Sequence, residues 1–231
     1  MCGILIRYID KGEVNVSKSI YSLVLSDDII SEIDRIAYKE GVSRSALIDS
    51  ILAKEISFVT PEMRIKQILC EFMSGLPVGI FMPSGSGSCS MSVRSALDYK
   101  YNPSLRFSVD LNREYGPDGF IGTLTIWLRS RSDAVCELLC EFFRVWSSLE
   151  KRFNPRAGYV ISREKTVREL RLPLPVSAET PCETIGKALS EYVSCLNRAV
   201  CAFFNEKDPD VCLQLLTREL LRFYQGADIA L

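Results

Sequence analysis

The residue types that most often carry protein chemistry are unevenly represented in this chain of 231 residues. It has nine cysteines and no histidine. Without histidine, neither a Ser-His nor a Cys-His nucleophilic pair can form. Carboxylate, lysine and tyrosine chemistry stays open, but no spacing in the sequence indicates it. We therefore expect a protein that is not an enzyme and that has no catalytic residue and no cofactor.

The cysteines fit a structural role better than a metal site. Their number is odd and no Cys-x-x-Cys pair occurs. Cys136 and Cys140 lie one helical turn apart, but zinc binding is not expected without histidine or a second cysteine pair nearby. Most of the nine lie in apolar helical patterns, where cysteine packs as a small hydrophobic residue. The sequence predicts reduced thiols and no metal. A cytoplasmic location is expected because the sequence shows neither a signal peptide nor a membrane span.

Residues 18–58 combine an extended segment with two helices, and the chain is organised around them. Residues 19–25 form a predicted strand that alternates. Tyr21, Leu23 and Leu25 share one face, and Ile20, Ser22 and Val24 share the other. Ser26 is the predicted N-cap of the first helix, and Gly41 is the left-handed residue that ends it. Ser43 is the predicted N-cap of the second helix. Because this segment is too thin to bury its own apolar residues, it is expected to dimerise.

This order of strand, helix, Gly-x-Ser-Arg-Ser and helix resembles the ribbon-helix-helix family of DNA-binding proteins. The resemblance rests on residues 22–28 (SLVLSDD) and 41–48 (GVSRSALI) and covers about a fifth of the chain, residues 17–58. It implies a dimer in which two strands, one from each copy, pair as an antiparallel ribbon in the DNA major groove. The whole arrangement is also similar to two-domain ribbon-helix-helix proteins of Firmicutes, which supply no activity for the second domain.

The resemblance implies DNA contacts at two places. The ribbon would present its outward residues to the bases, and these are Lys18, Ile20, Ser22 and Val24. The backbone amides that open the second helix would hold a DNA phosphate, because a helix N-terminus attracts anions. Those amides belong to Ser43, Arg44 and Ser45. The implied function is that of a homodimeric, sequence-specific transcriptional regulator.

Two features of the same segment favour an alternative. Ile20 and Val24 are apolar, whereas family members usually carry Arg, Lys, Thr or Asn on the outward strand face. Residues 17–60 also contain five basic residues against seven acidic ones, which is a weak electrostatic footprint for DNA. The alternative is an antitoxin-like or dimerising interaction protein without strong DNA binding.

Residues 1–16 form a predicted extension with three interpretations. Met1-Cys2-Gly3-Ile4 resembles the opening of N-terminal-nucleophile amidotransferases, but the Gly- and Asn-rich catalytic loops of those domains do not follow. A small hairpin of Ile4–Ile9 with Glu13–Val16 is a second interpretation. The third is a mis-called start, because residues 11–14 can be encoded by a ribosome-binding sequence and Val16 by a GTG start codon.

Residues 60–231 are predicted to form an α+β domain with a mostly antiparallel sheet packed by helices. Predicted strands are 78–82, 105–111, 120–129, 159–161 and 168–172, and predicted helices are 61–74, 134–153, 184–204 and 210–224. Residues 90–101 fit either a strand or a helix. Residues 83–88 are rich in Gly and Ser; such a loop can cradle phosphate, but the Walker lysine is absent and a surface loop is expected.

One polar group of this domain has two interpretations. Arg106, Asp110, Arg129 and Arg131 either line a ligand cleft or are solvated strand edges, and the second interpretation is favoured.

The expected architecture is therefore a ribbon-helix-helix module at residues 17–59 and an α+β domain at residues 60–231. The expected partners are double-stranded DNA and a second copy, as a homodimer or a higher even oligomer, with a protein partner or small effector at the larger domain. No apolar run approaches the length of a membrane span, so no membrane partner is expected. A net charge of −1 gives no general bias toward polyanions.

Overall fold

The computed structural model describes residues 22–56, 59–100, 102–130, 132–175 and 180–231. The chain divides between residues 57 and 58 into two compact units. The fold is mixed α+β, as predicted. In the described ranges the helices are α1 Asp27–Glu40, α2 Arg44–Glu55, α3 Pro61–Ser74, α4 Asp133–Glu150, α5 Cys182–Asn205 and α6 Pro209–Gly226. The strands are β1 Met82–Ser86, β2 Ser90–Ala96, β3 Ser104–Leu111, β4 Phe120–Arg129, β5 Tyr159–Ile161 and β6 Thr166–Arg171.

The smaller unit consists of two helices joined by a tight turn. Ser26 has the extended backbone of an N-cap, and α1 ends at Gly41 with φ 66°, a left-handed conformation that favours glycine. Ser43 then caps α2 by accepting a hydrogen bond from the amide of Ala46 at 3.2 Å. The predicted helices and the residues predicted to begin and end them are confirmed in the described part of this unit.

The predicted strand of residues 19–25 falls partly outside the described residues. Its described part, residues 22–25, lies in no strand. A strand needs a hydrogen-bonded neighbour. In the expected ribbon that neighbour is the same segment of a second copy, so one copy alone cannot supply it.

The larger unit is built on a six-stranded antiparallel sheet with the order β1-β2-β3-β4-β6-β5. The hairpin predicted from residues 105–111 and 120–129 is confirmed, with Phe107 opposite Ile126. The ambiguous residues 90–101 begin with a strand, β2. Two predictions beside it are wrong: residues 78–82 are not a buried strand, and residues 83–88 are not simply a loop. Val78 is fully exposed, and the Gly- and Ser-rich segment forms the edge strand β1.

The four helices of the larger unit share a single apolar core with one face of the sheet. Helix α5 is the centre of this core and is buried along most of its length. It lies very close to α3 at Gly186, where an added Cβ atom would come within 2.8 Å of the carbonyl oxygen of Ile68. Because only glycine permits this approach, α3 and α5 pack backbone to backbone at this point.

Strand alternation gives the sheet two chemically different faces. The covered face carries apolar side chains such as Leu105, Phe107 and Leu124, all fully buried. The other face, called the open face below, carries exposed polar residues that include Arg94 and Arg106. The sheet register therefore decides which charged side chains meet on the open face.

Candidate functional site

The sequence-predicted DNA-facing residues are only partly described. Lys18 and Ile20 lie outside the described residues. Ser22 and Val24 are exposed, and Val24 is 101% accessible. These two side chains are free to meet a partner surface, although residues 22–26 do not form a strand in one copy.

The predicted phosphate clamp lies at the start of α2, where Ser43, Arg44 and Ser45 are all exposed. The first amides of a helix have no partner within the helix, and they point outward. The guanidinium of Arg44 is not free, however: it is bound to the carboxylate of Asp34 in α1, with Nη2 to Oδ2 at 2.5 Å. A phosphate at this helix end would have to compete with Asp34 for Arg44.

The smaller unit leaves much of its apolar surface exposed. Among its described residues, the buried apolar ones are Ala37, Leu47 and Ala53. Its exposed large apolar residues are Leu23, Val24, Ile29, Ile30, Tyr38, Val42, Ile51, Leu52 and Ile56. So many exposed large apolar residues on so small a unit are more typical of an interface than of a solvated exterior.

The open face of the large sheet gathers three arginines and a tryptophan on adjacent strands. Arg94 of β2, Arg106 of β3 and Trp127 of β4 lie in one row across the sheet. The next row contains Ser104 and Arg129. Neighbouring strands are about 4.8 Å apart, so these side chains converge on one small area. Together with Ser84 and Leu128 they line a groove of about 520 Å³, called the arginine groove below.

The arginine groove has an excess of positive charge. In the described part of the chain, Arg94, Arg106 and Arg129 have no carboxylate within 4.0 Å. Arg106 instead donates to the hydroxyl of Ser92 at 3.3 Å and lies over the Trp127 ring, 5.6 Å from its centroid. By contrast, Arg171 on β6 pairs with Asp118 and Glu169.

Small residues of β1 make room for this groove. An added Cβ atom at Gly85 would lie 3.3 Å from Nη2 of Arg106, so glycine allows the guanidinium to extend across β2. Ser84 lines the groove, and its hydroxyl, which has almost no exposed surface, has no hydrogen-bond partner among the described residues. A buried hydroxyl without a partner is uncommon and costs free energy unless something else binds it.

A second polar cluster lies inside the core of the larger unit. The carboxylate of Glu150 at the end of α4 binds the guanidinium of Arg168 on β6, with Nη2 to Oε1 at 2.6 Å. Three tyrosine hydroxyls also donate to this carboxylate: Tyr192 at 2.8 Å, Tyr224 at 2.7 Å and Tyr159. We call these five residues the Glu150 cluster.

Electrostatics explain why the Glu150 cluster is stable as a charged group. Burial alone would raise the pKa of Glu150, but the charge and hydrogen bonds of Arg168 with those of the tyrosines outweigh it, and the pKa is lowered. Burial and the Glu150 charge raise the pKa of Tyr159 well above its ordinary value. Both ion-pair partners are completely buried. Because the ion pair has no solvent access and every hydroxyl is engaged, the cluster fits a structural role better than a catalytic one.

Sequence reasoning recognised part of these sites. It grouped Arg106 and Arg129 with Asp110 and Arg131; the structure keeps the first two together in the groove, and Arg131 lies outside the described residues. Asp110 lies further along β3 and accepts a hydrogen bond from Ser108 at 3.2 Å. Sequence reasoning did not recognise Arg94, whose place beside Arg106 depends on the strand register.

The cysteines are dispersed through the larger unit. The eight described cysteines are free thiols, and Cys140, Cys195 and Cys212 are buried. Burial raises the pKa of the Cys195 thiol to about 12, which keeps it protonated and unreactive.

No family model, curated protein or solved structure matches this chain. Among the described residues, no helix has the length and apolar character needed to cross a membrane.

Proposed function

We propose that the protein is a homodimeric, sequence-specific DNA-binding regulator whose smaller unit supplies both the dimer contact and the DNA contact. The exposed apolar surface of α1, α2 and the segment before them carries the proposal. Leu23 is 58% exposed and Ile51 is 47% exposed in one copy, although both belong to the apolar pattern of the segment. A second copy of the same unit would cover them.

The DNA contact follows from the same arrangement together with the resemblance to ribbon-helix-helix proteins. Pairing of residues 19–25 between two copies would place Ser22 and Val24 on the outer ribbon face, beside Lys18 and Ile20. The exposed start of α2 would then face the DNA backbone and bind a phosphate through its amides. The larger unit would sense an effector or extend the oligomer.

The Arg44–Asp34 pair allows a sharp test of the DNA contact. Arg44→Ala should weaken DNA binding and lower its salt dependence by about one unit per lost phosphate contact, while the dimer persists. Asp34→Asn should strengthen binding, because it releases Arg44 and removes a negative charge from the same surface. Electrophoretic mobility shifts against salt, on fragments selected from the genome with the full-length protein, provide the measurement.

The control is Arg152→Gln, which changes an exposed arginine of the larger unit and should leave DNA binding unaltered. Failure of the full-length protein to retain any fragment in a salt-sensitive manner would contradict the regulator proposal.

The second candidate function is a dimeric interaction protein of the antitoxin type without strong DNA binding. The pairing of Arg44 with Asp34 and the acidic excess of residues 17–60 favour it. Under this alternative the dimer forms but DNA is not retained at physiological salt, and a protein partner co-purifies with the larger unit.

A further inference from the structure

We propose that the arginine groove binds a free nucleotide, with the base against Trp127 and two or more phosphate groups on Arg94, Arg106 and Arg129. The site lies entirely within the larger unit. It therefore goes beyond the proposed DNA contact and does not depend on it.

The arginine groove carries uncompensated positive charge. Arg94 and Arg106 are direct neighbours across β2 and β3, and like charges in such positions destabilise a sheet. Arg129 adds a third positive charge in the adjacent row. Since no carboxylate of the described residues neutralises them, a multiply charged anion is the ligand that would relieve this repulsion. Guanidinium groups bind phosphate through paired hydrogen bonds.

An aromatic ring lies among these charges. Trp127 is half-buried on β4, in the same row as the arginines, and the guanidinium of Arg106 lies over its ring. Nucleobases stack on aromatic rings and on guanidinium planes, and this stacking tolerates any base. A simple inorganic anion would use the arginines but would gain nothing from Trp127.

Ser84 adds a hydroxyl without a hydrogen-bond partner among the described residues. Ser84 lines the same groove, and its nearly covered hydroxyl would reach a ligand after a rotation of the side chain toward the groove. A hydroxyl can donate a hydrogen bond to a phosphate or ribose oxygen, which would satisfy it. Three independent features of the groove thus match the parts of one ligand.

The size and surroundings of the groove favour a free nucleotide over a nucleic acid strand. Its volume of about 520 Å³ lies within the range of small-molecule sites. The positive charge is confined to two rows of the sheet. Further along the same face stands Asp110 of β3, whose charge would repel a continuing phosphate backbone. Glu169 of β6 already pairs with Arg171 there.

The test uses the full-length protein with ATP and GTP as probes. Trp127 reports binding directly, because the other tryptophan, Trp146, is completely buried. We expect saturable quenching of tryptophan fluorescence by either nucleotide, with affinity falling from the triphosphate to the monophosphate to the nucleoside. Arg94→Gln and Arg129→Gln should each weaken binding about tenfold, as expected for losing a charged hydrogen bond. The matched control Arg152→Gln should bind as the unaltered protein does.

Three results would overturn the proposal. The first is no saturable binding of ATP or GTP to protein whose circular dichroism shows it folded. The second is tripolyphosphate binding as tightly as ATP with no loss in a folded Trp127→Leu variant, which would show an anion patch without base recognition. The third is tighter binding of single-stranded oligonucleotides with increasing length, which would show a strand-binding surface instead.

Discussion

The two units of this chain differ in how completely each buries its own apolar residues. The larger unit encloses one continuous core in which Phe72, Phe142 and Leu189 have no exposed surface. In the smaller unit, Ile29, Ile51 and Leu52 remain exposed on helices that have regular caps and a regular turn. Good local helix signals combined with poor burial of the described residues are what the proposed dimer requires of this unit.

The same contrast holds for the ion pairs. Arg168 and Glu150 in the larger unit are fully buried and surrounded by hydrogen-bond donors. Arg44 and Asp34 in the smaller unit are 67% and 36% exposed in their side chains. A buried pair cannot lose one partner without large cost, whereas an exposed pair contributes little and can exchange partners. The first therefore suits a structural role and the second suits a contact that changes on binding.

The largest expected effect is in the core. Glu150→Gln would leave the Arg168 guanidinium buried without a counter-charge, and we expect it to lower the free energy of unfolding of the larger unit by about 3–5 kcal/mol. Asp228→Asn is the control: it breaks the exposed pair with Lys187 and should lower stability far less. Urea unfolding followed by fluorescence measures both. Equal losses would show that burial does not distinguish these pairs.

The second prediction concerns the loss of folding stability at low pH. The pKa of Glu150 in the folded protein is lowered from 4.5, so the stability that its charge provides is complete above pH 4.5. As pH falls through the lower folded-state pKa, that stability should be lost. Urea midpoints measured between pH 7 and pH 3 should fall for the unaltered protein. The Glu150→Gln protein should show a shallower fall; parallel curves would assign the acid sensitivity to other carboxylates.

The third prediction is that only the smaller unit unfolds with a stability that depends on protein concentration. If a second copy completes the smaller unit, its unfolding should depend on protein concentration, by about 1.4 kcal/mol for each tenfold dilution. Unfolding of the larger unit should not change if its core is complete in one copy. Hydrogen exchange at several concentrations reports both units in one experiment. If the protection of α1 and α2 from hydrogen exchange does not change with protein concentration, the smaller unit is not completed by a second copy.

The smallest effect is expected at the turn of the smaller unit. Gly41 has φ 66° with open space around it, so Gly41→Ala would add backbone strain but no clash, at a cost of about 1 kcal/mol. Gly226→Ala also enters open space but at an ordinary φ, and should not destabilise. Thermal unfolding of the two variants compares them; equal midpoints would show that the left-handed turn adds no measurable strain.

Sequence reasoning succeeded where the signal is local. Ser26, Gly41 and Ser43 mark helix ends through their own backbone and side-chain preferences, and the alternation of β3 and β4 follows from each strand alone. Sequence reasoning failed at β1, because this Gly- and Ser-rich segment lacks the apolar alternation that identifies strands. The segment is a strand only because it pairs with β2.

The two polar sites were missed or only partly found for a related reason. Glu150 stands at the end of an apolar helix and Arg168 in an alternating strand, and neither pattern reveals that they meet. The arginine groove requires the pairing register of β2, β3 and β4, which places Arg94 beside Arg106. Long-range register is set by the packed core, and a single sequence does not display it.

The most direct test of the central claim is sedimentation equilibrium of the full-length protein with two adjacent substitutions. Leu23 and Val24 are both exposed in one copy, so neither Leu23→Asp nor Val24→Asp should disturb a lone chain. If the strands pair as proposed, Leu23 faces the shared core and Val24 faces outward. We predict a mass of twice 26.0 kDa for the unaltered protein and for Val24→Asp, and 26.0 kDa for Leu23→Asp. A single-chain mass for the unaltered protein, or an undisturbed dimer in Leu23→Asp, would contradict the account.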